Sequence, residues 1–246
     1  MIFEDNKKVY FSEIGSDYKA SKGKIIDFFQ NTSTLLSEKS GLGLKYLREN
    51  GKAWILHDWQ IDYYNDINYM DDIVIGTLAT GFRRGICKRN YYIKKENDYA
   101  VIADSTWVVY DYENDKMITP SKEELDTYKI MDPMKMRKYK GKIKKSEDVK
   151  LVSSYKVIPE YIDINDHMNN GWYVKLAEST LNDDEKNILS MRVTYSNSAK
   201  LNDDVYVYAS GMEKIIEDED GILHNRKLVL IKGNDDITYS VVEFIY

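Results

Sequence analysis

The sequence predicts an α+β protein of two tandem modules, each a long antiparallel sheet wrapped around a central helix. Three observations carry that expectation. An apolar stripe at helical spacing over 21–37 is followed by a series of runs with strand-like alternation. The same order, a helix starting near 170 and then four strands, returns in the second half. And 246 residues with 43% hydrophobic content are enough to bury one large core or two packed modules of ordinary size. Tyrosine is abundant (21) and proline scarce (3), which suits β-rich structure with few rigid loops. The modules are expected at 1–118 and 150–246, joined by a basic linker at 119–149.

In chain order, residues 7–11 can form a short strand. Ser21 to Ser37 reads as a helix, because Ile25, Phe28, Phe29, Thr32, Leu35 and Leu36 recur at three- and four-residue steps. Leu42 to Asn50 is a short second helix, stopped by Asn50-Gly51. From Trp54 the period becomes two, with Trp59, Ile61 and Tyr63 on one face and Asp58, Gln60 and Asp62 on the other. Strands follow at 72–82, 86–95 and 99–112, separated by turn-prone residues near Asn68, Gly85 and Asn97-Asp98.

The linker contains Pro120, Pro133 and a run of Lys135, Arg137, Lys138, Lys140, Lys142, Lys144 and Lys145 with no acid between them. Such a run is either a solvated connector or a docking surface for an acidic partner. Arg83, Arg84, Lys88 and Arg89 form a second basic cluster. In the second half, strands are expected at 152–158, 190–198, 204–214, 223–232 and 236–245, with polar turns at 217–221 and 233–236. Aligning the two long helices sets Gly23-Lys24-Ile25-Ile26 against Gly171-Trp172-Tyr173-Val174. The turn before the first helix then offers Gly15, Asp17 and Lys19 where the second half has Asp163, Asn165 and His167, so only the second half carries reactive side chains.

Composition narrows the function. A single cysteine, Cys87, allows no intrachain disulfide and no thiolate metal site. His57, His167 and His224 are far apart in sequence, so neither a metal nor another cofactor is expected. A net charge of −6 argues against a nucleic-acid partner. No run reaches the roughly 18 apolar residues of a membrane span, and the first residues lack a signal-peptide core, so a cytoplasmic protein is expected.

The chemistry concentrates in EYIDINDHMNNGWYVKLAEST, Glu160 to Thr180. Asp163, Asn165 and His167 alternate in a polar turn, and Asn169 or Asn170 is placed to cap the helix that follows. Backbone N–H groups left open at that helix start attract an anion or a developing oxyanion. Taken alone, Asp-Ile-Asn-Asp could simply close a loop, and a lone loop histidine could simply bond the backbone.

In order and spacing, Asp163, Asn165, His167, Asn169 and Asn170, followed by Tyr173, resemble the Asp-x-Asn-x-His-x-Asn-Asn segment of plant and bacterial acyl-acyl carrier protein thioesterases. Trp54-Ile55, Thr80-Gly81-Phe82, Arg89-Asn90-Tyr91 and Ser105-Thr106-Trp107-Val108 with Asp111 are similar to further strands of the bacterial members. The resemblance implies tandem hot-dog modules, a fatty acyl chain as cargo and acyl carrier protein (ACP) as partner. It also implies a Glu three residues after an aromatic on the strand beyond the active-site helix. Counted from Tyr195, that place holds Ser198, followed by Ala199.

A thioester carbonyl needs polarisation, an activated water and departure of a thiol, whose pKa of about 8.5 makes it a good leaving group. The start of the 170–180 helix, with the Asn165 amide, is the candidate oxyanion site. His167 is the best general base near neutral pH, and Asp163 would orient it or take the proton itself; attack by the Asp163 carboxylate is a less favoured variant. The reading is therefore an acyl-ACP thioesterase, with an acyl-CoA thioesterase and a non-hydrolytic acyl-binding protein as alternatives; the Ser198 departure is what keeps the last open. Arg83, Arg84, Arg137, Lys138 and Lys140 are the candidate carrier-docking residues. A monomer or a homodimer fits, since two fused modules already supply a pseudo-dimer.

Overall fold

The structure is a computed structural model that describes residues 1–144, 146 and 148–246. It is a large antiparallel sheet with few helices. The strands are β1 (Phe3–Lys8), β2 (Lys52–Tyr63), β3 (Asp72–Arg83), β4 (Ile86–Lys95), β5 (Asp98–Asp111), β6 (Lys116–Ile118), β7 (Val149–Lys156), β8 (Ser190–Tyr195), β9 (Asp204–Ser210), β10 (Glu213–Glu217), β11 (Leu223–Lys232) and β12 (Thr238–Ile245). The α-helices are α1 (Lys22–Lys39), α2 (Leu44–Glu49), α3 (Lys122–Tyr128) and α4 (Asn170–Glu178). No helix is long and apolar enough to cross a membrane among the described residues.

The chain groups into two compact units. The first comprises Met1–Ala20, Asp27–Trp59 and Tyr64–Lys135; the second comprises Ser21–Ile26, Gln60–Tyr63 and Met136–Tyr246. In the first, the strand order is β1-β3-β4-β5-β2, with β6 on β5. Its core is aromatic: Phe29 of α1 lies 5.1 Å from Tyr91 and 5.8 Å from Trp59, ring centre to ring centre. Trp59 and Tyr91 are 5.0 Å apart. Such tilted ring pairs add to the area they remove from water. Ile25, Phe28, Phe29, Thr32 and Leu36 of α1 are buried as their spacing predicts, whereas Leu35 is exposed at the edge of the stripe.

Two elements of this unit differ from expectation. The first strand runs over Phe3–Lys8 and not 7–11, because the chain turns into a short 310 helix at Phe11–Glu13, whose Glu13 carboxylate accepts the Tyr10 N–H at 3.0 Å. And the segment after Pro120 forms α3. Ser121 caps it by accepting the Glu124 N–H (3.2 Å), while Glu124 accepts the Ser121 N–H (2.6 Å), a reciprocal box that the four residues Ser-Lys-Glu-Glu encode.

In the second unit the order is β8-β12-β11-β9-β7, with β10 on β11 and the last residues of β2 beside β8. Tyr173 of α4 packs on Tyr195 of β8 and Tyr239 of β12. Alternation turns Ser190 and Arg192 of β8 away from Tyr195's face. There the Glu243 carboxylate, fully buried, is held by Arg192 at 2.6 Å and by Arg226 at 2.7 Å. A buried carboxylate without such partners would be prohibitively costly.

Residues 136–144 are not a free connector. Gln60 Nε2 donates to the Arg137 carbonyl (2.6 Å), Glu219 N–H to that of Lys138 (2.9 Å), Arg192 to that of Gly141 (3.0 Å) and Arg226 to that of Lys144 (2.9 Å). Lys145, the last residue of the basic run, lies outside the described residues. Asp62, expected on the polar face of β2, is fully buried. Its carboxylate accepts from Ser190 Oγ (2.8 Å), the Arg137 N–H (2.8 Å) and Gln60 Nε2 (3.3 Å), a set of donors that alternation alone cannot reveal. The expected strand 204–214 is divided into β9 and β10, because Ser210 Oγ takes the Leu228 N–H (3.0 Å) in place of a ladder partner.

Candidate functional site

The segment before α4 folds on itself. Ile162 bridges Met168, and the Asp163 N–H donates to the His167 carbonyl at 2.8 Å. Between these ends the Asp163 carboxylate accepts the Asn165 N–H at 2.8 Å, an Asx turn, and Asp166 takes a left-handed conformation (φ 59°) that a short polar residue tolerates. Asp163 and His167 thus face each other across the neck of the loop and are half-buried, while Asn165 is exposed at its tip. No hydrogen bond joins the Asp163 carboxylate to the His167 ring among the described residues.

The loop runs directly into α4. Asn169, not Asn170, is the N-cap: its Oδ1 accepts the Gly171 N–H at 2.8 Å, and its carbonyl accepts the Trp172 N–H at 3.0 Å. Asn170 is the first helical residue, its carbonyl held by the Tyr195 hydroxyl at 3.1 Å. Two of the first-turn donors are therefore already engaged, and the Asn170 N–H is left without an acceptor among the described residues. On α4, the Trp172 ring lies 4.2 Å from the Tyr161 ring at a tilt of 34°, and Lys175 Nζ sits 4.2 Å from the Trp172 ring centre.

The turn after β8 meets the loop from the other side. Ser196 N–H bonds the Tyr239 carbonyl, which ends β8 at Tyr195 and not at residue 198. Ser198 is exposed and Ala199 fully buried. The neighbouring carboxylates have other work: Asp203 accepts from the Lys200 N–H (2.8 Å) and the Tyr239 hydroxyl (3.1 Å), and Asp204 pairs with Lys156 at 2.9 Å. Burial pushes the Tyr173 phenol well above its ordinary range, and the fields of Tyr239, Asp163 and Asp203 act in the same direction.

Sequence reasoning missed a contact at the first helix. Lys22 N–H, in the first turn of α1, donates to both carboxylate oxygens of Glu178, at 3.1 and 3.0 Å. Gly23 lies so close to α4 that a Cβ there would stand 2.6 Å from the Gly171 carbonyl oxygen and 2.5 Å from Lys175 Cγ. The alignment of Gly23 with Gly171 was the one available signal.

The basic clusters differ in their surroundings. Arg83 and Arg84 are exposed at the β3–β4 turn and carry no ion pair among the described residues. Lys138 and Lys140 are exposed but paired, with Glu219 at 3.3 Å and Glu217 at 2.6 Å. Arg137 is half-buried and donates to the Leu189 carbonyl at 3.1 Å. No group of three or more His, Cys, Asp or Glu could hold a metal ion among the described residues.

Comparison with known proteins bears on both halves. No curated protein matches the sequence significantly. Among solved structures, a protein from Lactobacillus plantarum assigned as an oleoyl thioesterase superposes with a TM-score of 0.85 at 17% identity, covering 100% of this chain and 95% of its own. An acyl-ACP thioesterase from Bacteroides thetaiotaomicron gives 0.84 at 16% identity, covering 99% and 97%. The 12:0-ACP thioesterase from Umbellularia californica gives 0.79 at 12% identity, covering 99% and 93%. Those likenesses establish the fold of hot-dog thioesterases. The sequence profile of the acyl-ACP thioesterase N-terminal domain matches residues 1–128, more than half of the chain and the half without the loop. The chain belongs to the acyl-ACP thioesterase family and is a thioester hydrolase acting on acyl-ACP.

Proposed function

We propose that the loop from Asp163 to Asn170 is the hydrolytic centre, within two tandem hot-dog modules at 1–118 and 150–246 whose helices, α1 and α4, are each cupped by a sheet. The observation that carries the reading is the delivery of Asp163, Asn165 and His167 by one closed loop onto the capped start of α4. His167 takes the proton of the attacking water, and Asp163, opposite it across the loop neck, orients the ring as imidazolium forms. The Asn170 N–H and the Asn165 amide receive the oxyanion of the tetrahedral intermediate, which then collapses with loss of the phosphopantetheine thiolate. Because that thiol is a good leaving group, no strong general acid is needed, and an uncharged Ser198 is compatible with turnover.

The ACP partner is acidic by the logic of the two basic clusters. Arg83 and Arg84, which pair with no carboxylate among the described residues, are the stronger docking candidates; Lys138 and Lys140 are partly neutralised by Glu219 and Glu217, and Arg137 is half-buried. Thiol release from acyl-ACP and from the matching acyl-CoA, followed side by side for the wild type and His167→Ala, tests the proposal. Expected are a preference for acyl-ACP and a fall in kcat of about 10²–10⁴ in the variant. Unchanged turnover in His167→Ala would reject the assignment of the loop, and equal use of acyl-CoA would reject carrier docking.

A further inference from the structure

Ala199 uses both of its backbone groups to tie three pieces of the site together. Its N–H donates to the Tyr173 hydroxyl at 2.8 Å, and its carbonyl accepts the Met168 N–H at 2.8 Å. Tyr173, Ala199 and Met168 are each at most 2% exposed, so water cannot replace either bond. Met168 stands between His167 and the cap Asn169 and bridges Ile162. The connections close a ring: α4 through Tyr173, the 196–203 turn through Ala199, the loop through Met168, and back to α4 through Asn169.

Packing alone does not require an oxygen on Tyr173. Its ring already lies between Tyr195 and Tyr239, which a phenylalanine would satisfy equally. The hydroxyl receives the Ala199 N–H, and removing it leaves that donor unpaired at the back of the loop. The turn would then move to find another acceptor and take Met168, and with it His167, along.

We propose that the Tyr173 hydroxyl is a positioning residue for hydrolysis, fixing His167 through Ala199 and Met168. The inference rests on the reading of His167 as the base. A shift of the base by a fraction of an ångström to an ångström costs rate without changing substrate affinity.

The test is a four-membered cycle of wild type, Tyr173→Phe, His167→Ala and the double variant, assayed on acyl-ACP with melting temperature recorded for each. Tyr173→Phe is expected to lower kcat roughly 10- to 100-fold with KM unchanged, and to add nothing to the loss already caused by His167→Ala. Full kcat in Tyr173→Phe with only a lower melting temperature would overturn the inference and leave the role of His167 intact. Losses that multiply in the double variant would overturn it too, since the hydroxyl would then act independently of His167. An active His167→Ala would remove both readings together. Should Tyr173→Phe fail to fold, an ester in place of the Ser198–Ala199 peptide bond deletes the same N–H while keeping the phenol, and the same fall in kcat is required of it.

Discussion

Ser198 sits where relatives of this chain are expected to carry a carboxylate, and its surroundings argue against restoring one. It is exposed on the turn, while the buried backbone of Ala199 beside it is committed to Tyr173 and Met168. A carboxylate there would either remain in solvent or enter a region already holding the charge of Asp163. Ser198→Glu is therefore expected to leave kcat unchanged or lower it; a gain in rate would show that the chain works below its potential for want of that group.

Asp62 shows how far single residues were legible. Alternation along β2 read Trp59, Ile61 and Tyr63 correctly and put Asp62 on the opposite face, but it could not show that Asp62 is buried there, because the donors that satisfy it lie at Arg137 and Ser190, far off in sequence. Burial raises its carboxyl above the usual aspartate value of 3.8, against hydrogen bonds from the Arg137 N–H, Ser190 and Gln60. The folded protein therefore holds that proton more tightly than the unfolded chain, so stability declines as pH rises from about 3.8 through the raised value and is level above it. Measured by urea midpoint, the advantage of the wild type over Asp62→Asn should shrink across that window. An advantage that grows with pH would contradict the burial argument.

Elements were easier to read than residues, since a period of 3.6 or 2 is a property of many side chains at once. β4 and β11 lie where the alternation put them, and α4 begins at Asn170. The failures were at short pieces governed by one or two hydrogen bonds: α3 behind its Ser121 cap, and the break between β9 and β10 at Ser210. In the site, the loop and cap were legible as a pattern of polar residues, but the bond from Ala199 to Tyr173 was not, because it is made by a backbone N–H with no sequence signature. The approach of α1 to α4 at Gly23 yields a prediction at this scale. Lys175 can swing aside, but the Gly171 carbonyl belongs to the first turn of α4. Gly23→Ala should destabilise the protein by about 1–3 kcal/mol, as overpacking does, and should lower kcat because the helix start is displaced. A variant with wild-type urea midpoint and wild-type rate would refute the close approach.

For the whole molecule, net charge and its distribution decide encounter with an acidic carrier. The chain is itself acidic at −6, so association depends on local cations. Reversing Arg83 and Arg84 to Glu should raise KM for acyl-ACP several-fold and flatten its dependence on salt, while small thioesters are turned over as before. Reversing Lys138 and Lys140 should do less, since each already faces a glutamate. Equal effects from the two pairs, read from KM at low and high salt, would discard the ranking.

The segment over 136–144 is as rich in tryptic sites as any part of the chain, yet its geometry removes three of them from attack. Trypsin must pull an extended stretch of backbone into its cleft and seat the carbonyl of the basic residue in its own oxyanion hole. Here the carbonyls of Arg137, Lys138 and Lys144 are the ones engaged, by Gln60, the Glu219 N–H and the buried Arg226. Cleavage after those three residues therefore requires local unfolding first. In a timed digest of the native protein, the bond after Arg84, on an exposed turn, should be cut before any of the three, and mutation of Arg226 should reverse that order for Lys144.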